Sequence, residues 1–425
     1  MFLFGMLLFT SCDDDEPMID IPGNETATFT VTIDNIITPT PFSRSQATGA
    51  IPPGEAQTFS FDAGRGQSFS FSSMFVQTND VFFAFEPTGL SLYDNSGNPI
   101  SGDVTDQVML WDAGTEVNQE PGVGADQAPR QAEPNTGTEE NGVIRNLNDV
   151  DDGYTYPAVS DLIRVAISND GGTRFSVTIT NVSDAGTLPS PISPGVLATH
   201  AADARFFTVG EPAANGMEEI AEDGNNEPAE AYLTANTGYV SGFAPGAYAV
   251  HEFDEEVIFE ENQKAPNNGL EELAEDADPS ILNTTFTEND DITSNGVFNT
   301  PVGMTSAGPA LPGNSYEFTF TATEGERLNF ATMLGNTNDL FFAFDEDGMD
   351  LFDNGTPITG DVTNQIQLWD AGTEVNEIPG IGNNQAPRQA APDSGTTEDE
   401  PVQVVNDEYT YPAVNSMIRV TVSAQ

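Results

Sequence analysis

The sequence holds one cysteine, Cys12, so no pair of its own cysteines can form a disulfide. Two histidines and two tryptophans in 425 residues leave little imidazole for metal or acid–base chemistry and few aromatic platforms for sugars. Bases are scarce: 11 Lys and Arg stand against 68 Asp and Glu, a net charge of −57. A surface of that sign repels nucleic acid and anionic lipid, so neither is an expected partner. The charge suits a protein that lives in salt or one that binds cations. Its plainest reading, solubility in saline water, implies no site at all. No G-x-S-x-G, Walker A, H-E-x-x-H or C-x-x-C pattern occurs. No apolar run is long enough for a membrane-spanning helix.

What is present favours sheet. Hydrophobic residues make up 37% of the chain, with 28 Phe, enough to fill packed cores. Segments such as "QTFSFDAG", "QSFSFSSMF", "VFFAFE", "QVMLWD" and "LIRVAIS" alternate or run apolar over a few residues between turn formers. The expected fold is all-β, an antiparallel β-sandwich in each domain. At the start, "MFLFGMLLFTSC" (1–12) reads as a signal peptide ending at a lipobox, with Cys12 the lipidated residue. No basic n-region precedes it, as expected of a start that falls short of the whole signal. Asp13, Asp14, Asp15 and Glu16 open an acidic tether, 13–25, that resembles a surface-export signal of bacterial lipoproteins. The alternative is an ordinary signal followed by a free or buried cysteine. The expected location is the outer membrane or cell surface, with membrane contact only through the lipid.

Comparing the chain with itself gives the strongest signal. "TNDVFFAF" at 78 recurs as "TNDLFFAF" at 337, and "GDVTDQVMLWDAGTEVNQEPGVG" at 102 as "GDVTNQIQLWDAGTEVNEIPGIG" at 360. "QAPRQ" and "YTYPAV" follow in both copies. "TATFTVTIDN" and "TRFSVTITN" open the copies with the same period-two pattern. The expected domains are therefore 26–171 and 173–425, joined at Gly171–Gly172. An insert of roughly 190–290 falls in the second domain and is itself duplicated: "PGVLATH" with "NGMEEIAEDG", then "PGAYAVH" with "NGLEELAEDA". Met217, Ile220 and Ala221 at i, i+3 and i+4, with Gly224 as a stop, predict a short helix there.

Asp112 and Glu116 flank a glycine turn at the end of "QVMLWD", and Asp80 sits before the Phe-rich strand. Asp339, Asp370 and Glu374 repeat them, whereas the neighbouring Asp126 becomes Asn384. Carboxylates brought together repel unless a cation lies between them, and a hard oxygen set without Cys or His favours Ca²⁺. The bland reading is turn formers and solvated charge. Arg130 and Arg388 of "QAPRQ" are expected to pin a loop by ion pairs to acids near the site, Glu116 and Glu374. His200 and His251 are expected to pack, and Trp111 and Trp369 to anchor strand ends.

These stretches resemble the spondin N-terminal domain in its bacterial form. The likeness rests on "TNDVFFAF" with "DAGTE", on "HAADARFFTVGEPAANGMEEIAEDGN" and on "FNTPVGMTSAGPALPGNSYEFTF", and covers nearly everything after residue 25. It implies two tandem sandwiches like calcium-dependent lipid-binding modules, the first shortened by lack of the His/"GLEELAED" segment. It also implies a Ca²⁺ site at one end of each, from Asp80, Asp112 and Glu116, then Asp339, Asp370 and Glu374. Animal members carry Asp where Glu116 and Glu374 stand. The expectation is a non-catalytic surface lipoprotein for adhesion, meeting an extracellular protein or glycan. The rivals are an accessory glycan-binding lipoprotein of polysaccharide uptake and, behind it, a hydrolase with clustered acids.

Overall fold

Short alternating segments punctuated by Gly and Pro give strands joined by turns rather than long helices. The computed structural model describes residues 25–252 and 255–425; Cys12, the signal segment and the acidic tether up to residue 24 lie outside the described residues. In chain order come β1 (Thr26–Asn35), β2 (Phe42–Ala47), β3 (Ala56–Asp62), β4 (Gln67–Phe75), β5 (Val81–Ala84), β6 (Met109–Asp112), β7 (Ile163–Gly171), β8 (Arg174–Asn181) and β9 (Ile192–Ala201). Helices α1 (Met217–Asp223) and α2 (Glu227–Ala235) follow, then β10 (Phe243–Glu252), α3 (Leu270–Asp276) and α4 (Ser280–Glu288). The chain ends with β11 (Ile292–Phe298), β12 (Ser315–Thr323), β13 (Glu326–Leu334), β14 (Leu340–Ala343), β15 (Gln367–Asp370) and β16 (Ile418–Ala424); two-residue strands lie between some of these.

The fold is all-β and sandwich-like, with antiparallel sheets. In the first unit β3, β8 and β7 form one sheet, extended by residues 102–103. The facing sheet runs β2–β9–β4–β5–β6 and ends at 145–146. In the second unit one sheet is β12–β1–β16 with 360–361, and the other β11–β10–β13–β14–β15 with 403–404. Each pair of sheets encloses its own core, with Phe69, Phe83, Phe175 and Val177 in one and Phe29, Val31, Phe330 and Phe342 in the other.

This pairing corrects the expected boundaries. Gly171 and Gly172, expected to join two domains, lie at the tip of the β7–β8 hairpin, in which Val165 faces Ile179, Gly171 faces Arg174, and Gly172 and Thr173 make the turn. β8 therefore completes the first sandwich. β1 pairs Phe29 with Phe320 on one side and Val31 with Val422 on the other, at the centre of the second sandwich's sheet. The first half of the expected insert also belongs to the first unit: β9 pairs with β4 and β2. The first sandwich is thus not shortened. It is a complete unit of about 36–240 set into the second between β1 and β10. Matching buried asparagines mark the equivalence. Asn181 Nδ2 donates to Ile51 O and Ser190 O, and Asn35 Nδ2 to Ser241 O and Ala310 O, all at 2.8–2.9 Å.

A helical layer covers the outer face of each larger sheet. Met217, Ile220 and Ala221 of α1 pack on Phe82 and Trp111, and Leu270, Leu273 and Ala274 of α3 on Phe341 and Trp369. α1 ends where expected, at Gly224 with φ of 64°. β5 and β14 are consequently buried on both faces, which is why "VFFA" and "LFFA" read as continuous apolar runs. Each buried Phe removes enough surface from water to stabilise the fold by roughly 2–3 kcal/mol.

Candidate metal centre

The carboxylates sit where the two-sided β5 and β14 begin. Asp80 precedes Val81, which pairs with Asp112 at the end of β6; Leu340 pairs with Asp370 in the same way. Trp111 and Trp369 on the opposite face are buried and donate Nε1–H to Ala84 O at 3.3 Å and Phe344 O at 3.0 Å. They anchor the strand ends as expected, and buried indoles offer no platform to a sugar.

Asp80 Oδ2 accepts from Thr115 N at 2.8 Å, Thr115 Oγ1 at 3.2 Å and Glu116 N at 3.0 Å. Asp339 Oδ2 accepts from Thr373 N at 2.8 Å, Thr373 Oγ1 at 3.3 Å and Glu374 N at 3.1 Å. The other oxygen, Oδ1, is buried without a donor in both residues. Asp112 Oδ1 accepts from Gly114 N at 2.8 Å and its Oδ2 from Asn118 Nδ2 at 2.7 Å. Asp370 repeats this with Gly372 N and Asn376 Nδ2, both at 2.8 Å. The amide oxygens Asn118 Oδ1 and Asn376 Oδ1 are left buried without donors. Glu116 accepts from Asn79 Nδ2 at 3.2 Å and Gly137 N at 2.8 Å. Glu374 Oε1 is buried with no donor and lies against Gly395, where a Cβ would meet it at 0.9 Å.

The helical layer adds a carboxylate that the sequence reading missed. Glu222 of α1 and Glu275 of α3 are buried on the inward side of their helices. Burial pushes Glu222 up to about 8, with the charges of Glu116 and Asp80 adding to it. Burial likewise pushes Glu275 up to about 7. Burial, then the Asp112 charge, raises Asp80 to about 7; burial and Asp370 hold Asp339 well above the usual carboxylate range. Burial and then Glu275 lift Glu374 to about 8, and burial also raises Asp112, Asp370 and Glu116. Within each unit the two aspartates, Asp80 with Asp112 and Asp339 with Asp370, feel each other's charge as a buried pair that resists ionising together.

Carboxylate oxygens of Glu271, Glu275 and Asp393 lie within 4.8 Å of one another, a spacing that among the described residues the expected triads do not reach. The donor set nonetheless fits a hard cation. It is oxygen throughout, buried, and includes Asp Oδ1, Asn Oδ1 and, in the second unit, Glu374 Oε1 with no hydrogen-bond donor. Asn118 and Asn376 were legible as the last letter of the duplicated "LWDAGTEVN". Glu222 and Glu275 were legible as acids kept beside the apolar positions of both short helices.

Arg130 and Arg388 do not make the expected ion pairs. Arg130 donates to Gly124 O at 2.7 Å, to Gln77 Oε1 at 2.8 Å and to Gln127 Oε1. Arg388 donates to Gly380 O at 2.6 Å, Asn336 Oδ1 at 3.1 Å and Gln385 Oε1 at 3.2 Å. Both brace their loops through neutral oxygens. The base that does reach the site is Arg145, 3.6 Å from Asp112 Oδ2 and 2.5 Å from Glu140 Oε1. Gln403 holds its register position opposite Asp370. His200 and His251 are buried at the opposite end of the sheet, where His200 faces Ser68 at the start of β4. Burial lowers both below the usual imidazole range, and His200 bonds Ser70 Oγ and Ala201 O at 2.8 Å, a packing role.

Arg145 already supplies part of the counter-charge a cation would bring. Arg145→Gln is expected to tighten calcium at the first site by roughly threefold, toward the second, as the removed charge is half-exposed and screened. Site-resolved titration checks this; weaker calcium binding in the variant would refute it.

Compared with known proteins, the chain matches no family model and no curated protein.

Proposed function

We propose that the protein is a calcium-binding, non-catalytic adhesion protein of the cell surface, built from two spondin-like sandwiches and tethered through Cys12. The observation that carries the calcium reading is the pair of buried oxygen clusters, repeated unit for unit, whose Asp Oδ1 atoms have no hydrogen-bond donor. A divalent cation would complete them, held by Asp80, Asp112 and Glu116 in the first unit and by Asp339, Asp370 and Glu374 in the second. The cation would fix the loops 113–118 and 371–376 at the strand ends.

The two metal ends differ in what surrounds them. In the second unit the loop carrying Ile381 is packed against the first sandwich, and Ile381 is 1% exposed; its counterpart Val123 is 64% exposed. The first unit's loop carrying Val123 is thus free to meet a partner where its counterpart is covered. Calorimetry with calcium chloride is expected to give one site per sandwich, and chelator to lower the melting temperature. No heat at millimolar calcium would overturn the reading. Retention of cell-surface partners on immobilised protein with calcium, and their release by chelator, tests the adhesion part.

A further inference from the structure

Three of the eleven basic residues, Arg44, Arg65 and Arg388, line one cleft of about 260 Å³ between the sandwiches. That is a concentration of positive charge in a chain whose net charge is −57. The units meet closely around it. Arg65 N donates to Asn383 Oδ1 at 2.8 Å, and Gly64 lies so near Ile381 O that a Cβ would sit 2.0 Å from it. Thr323 occupies the position of Gly64 in the second unit's β12–β13 turn, and Glu324 that of Arg65, so the cleft arises once.

None of the three guanidinium groups is within ion-pair distance of a carboxylate among the described residues. Their hydrogen bonds go to neutral oxygens. Arg44 Nη1 donates to Ser43 O at 2.8 Å. Arg65 makes only long bonds, to Gly97 O and Asn383 O at 3.4 Å and to Arg388 O at 3.3 Å. The acids whose charge they feel are engaged elsewhere. Asp62, beside Arg44, pairs with Arg174 at 2.8 Å, and Glu377, beside Arg388, accepts from Asn384 N at 2.8 Å. Tyr239 lines the same cleft, and its buried hydroxyl has only the Ser241 side chain beside it as a hydrogen-bond neighbour. Arg65 and Arg388 are partly buried and Arg44 is exposed at the cleft's rim, and guanidinium forks match oxyanions closely.

We propose that this cleft binds a small oxyanion, a carboxylate or sulfate group, held by Arg44, Arg65 and Arg388 with the Tyr239 hydroxyl as a further donor. It is separate from the metal centres in charge and in residues. The surrounding negative field would exclude anions that cannot reach the three arginines together, which makes the cleft selective.

Thermal-shift and calorimetric titrations of the full chain with sodium sulfate and sodium glucuronate, against sodium chloride at matched ionic strength, test it. The expected result is saturable stabilisation by at least one oxyanion, about tenfold weaker in both Arg44→Gln and Arg65→Gln. Which salt binds more tightly tells sulfate from carboxylate. Arg65 also bonds across the units, so its variant alone is open to a structural effect; Arg44 bonds only its neighbour Ser43 and carries the decision. The proposal is overturned if chloride matches both oxyanions. It is also overturned if Arg44→Gln binds as tightly as the parent, whatever Arg65→Gln does.

Discussion

Asp80→Asn is expected to stabilise the calcium-free protein at alkaline pH and to abolish calcium binding by the first sandwich. Asp80 is fully buried, and its carboxyl is raised to about 7 by burial and by Asp112. In an unfolded chain it ionises near 4. The native state therefore holds a proton that the unfolded state releases, and this contribution to stability is complete below about pH 4. It is lost as pH rises through about 7 for Asp80 and about 8 for Glu222 and Glu374. Across that span the ionised Asp80 costs the metal-free fold about 4 kcal/mol, an upper figure because the cluster ionises as a group.

Asparagine keeps the shape and an oxygen that can accept the Thr115 and Glu116 amides, yet carries no charge. In chelator the parent's melting temperature should fall from about pH 5 to about pH 9, and the variant's should fall less. Calcium should flatten the parent's profile and release protons on binding, with affinity rising through the same range. A parent whose melting temperature in chelator does not change over that range would sink the argument.

Removing residues 1–35 is expected to unfold the second sandwich and spare the first. β1 is the first described strand of the chain, yet it lies between β12 and β16 in the second unit. Phe29, Val31 and Ile33 are wholly buried there. Truncating one buried Phe costs about 3–5 kcal/mol, and domains of this size hold about 5–15 kcal/mol in all, so losing the strand exceeds the margin. The calcium transition of the second site should vanish with it, and that of the first should persist. Limited proteolysis should leave a resistant fragment of about 36–240. If a chain starting at residue 36 protects 241–425 as well as the parent does, the nested arrangement is wrong.

Local structure was legible in the sequence because local physics sets it. Alternation gave β1, β3 and β8, and Gly224 marked the end of α1. The acids Asp80, Asp112 and Glu116 were legible from their repetition, since each needs the same strand ends in both copies. The domain boundaries were not, because self-comparison assumes that each copy is continuous. β1 and β8 carry the same Phe-x-Val-x-Ile pattern, and either suits either sandwich. The turn at Gly172 and Thr173 decides between them, with Gly171 and Gly172 taking φ of 118° and 55° that only glycine adopts readily. A two-residue hairpin closes at little entropic cost, so β8 folds back on β7 and leaves the second sandwich's place to β1. Arg145 escaped notice because nothing along the chain puts it opposite Asp112; only the sheet register does.

The central position of β1 also has a mechanical meaning. A pull between residue 25 and the first sandwich runs along the axis of this one strand. Its hydrogen-bond ladders to β12 and β16 lie across that axis, so the load meets them in shear and all together rather than one at a time as in unzipping. The second sandwich would thus act as a grip on the strand that carries tension to the first, and its resistance to force would set how firmly the outer unit is held.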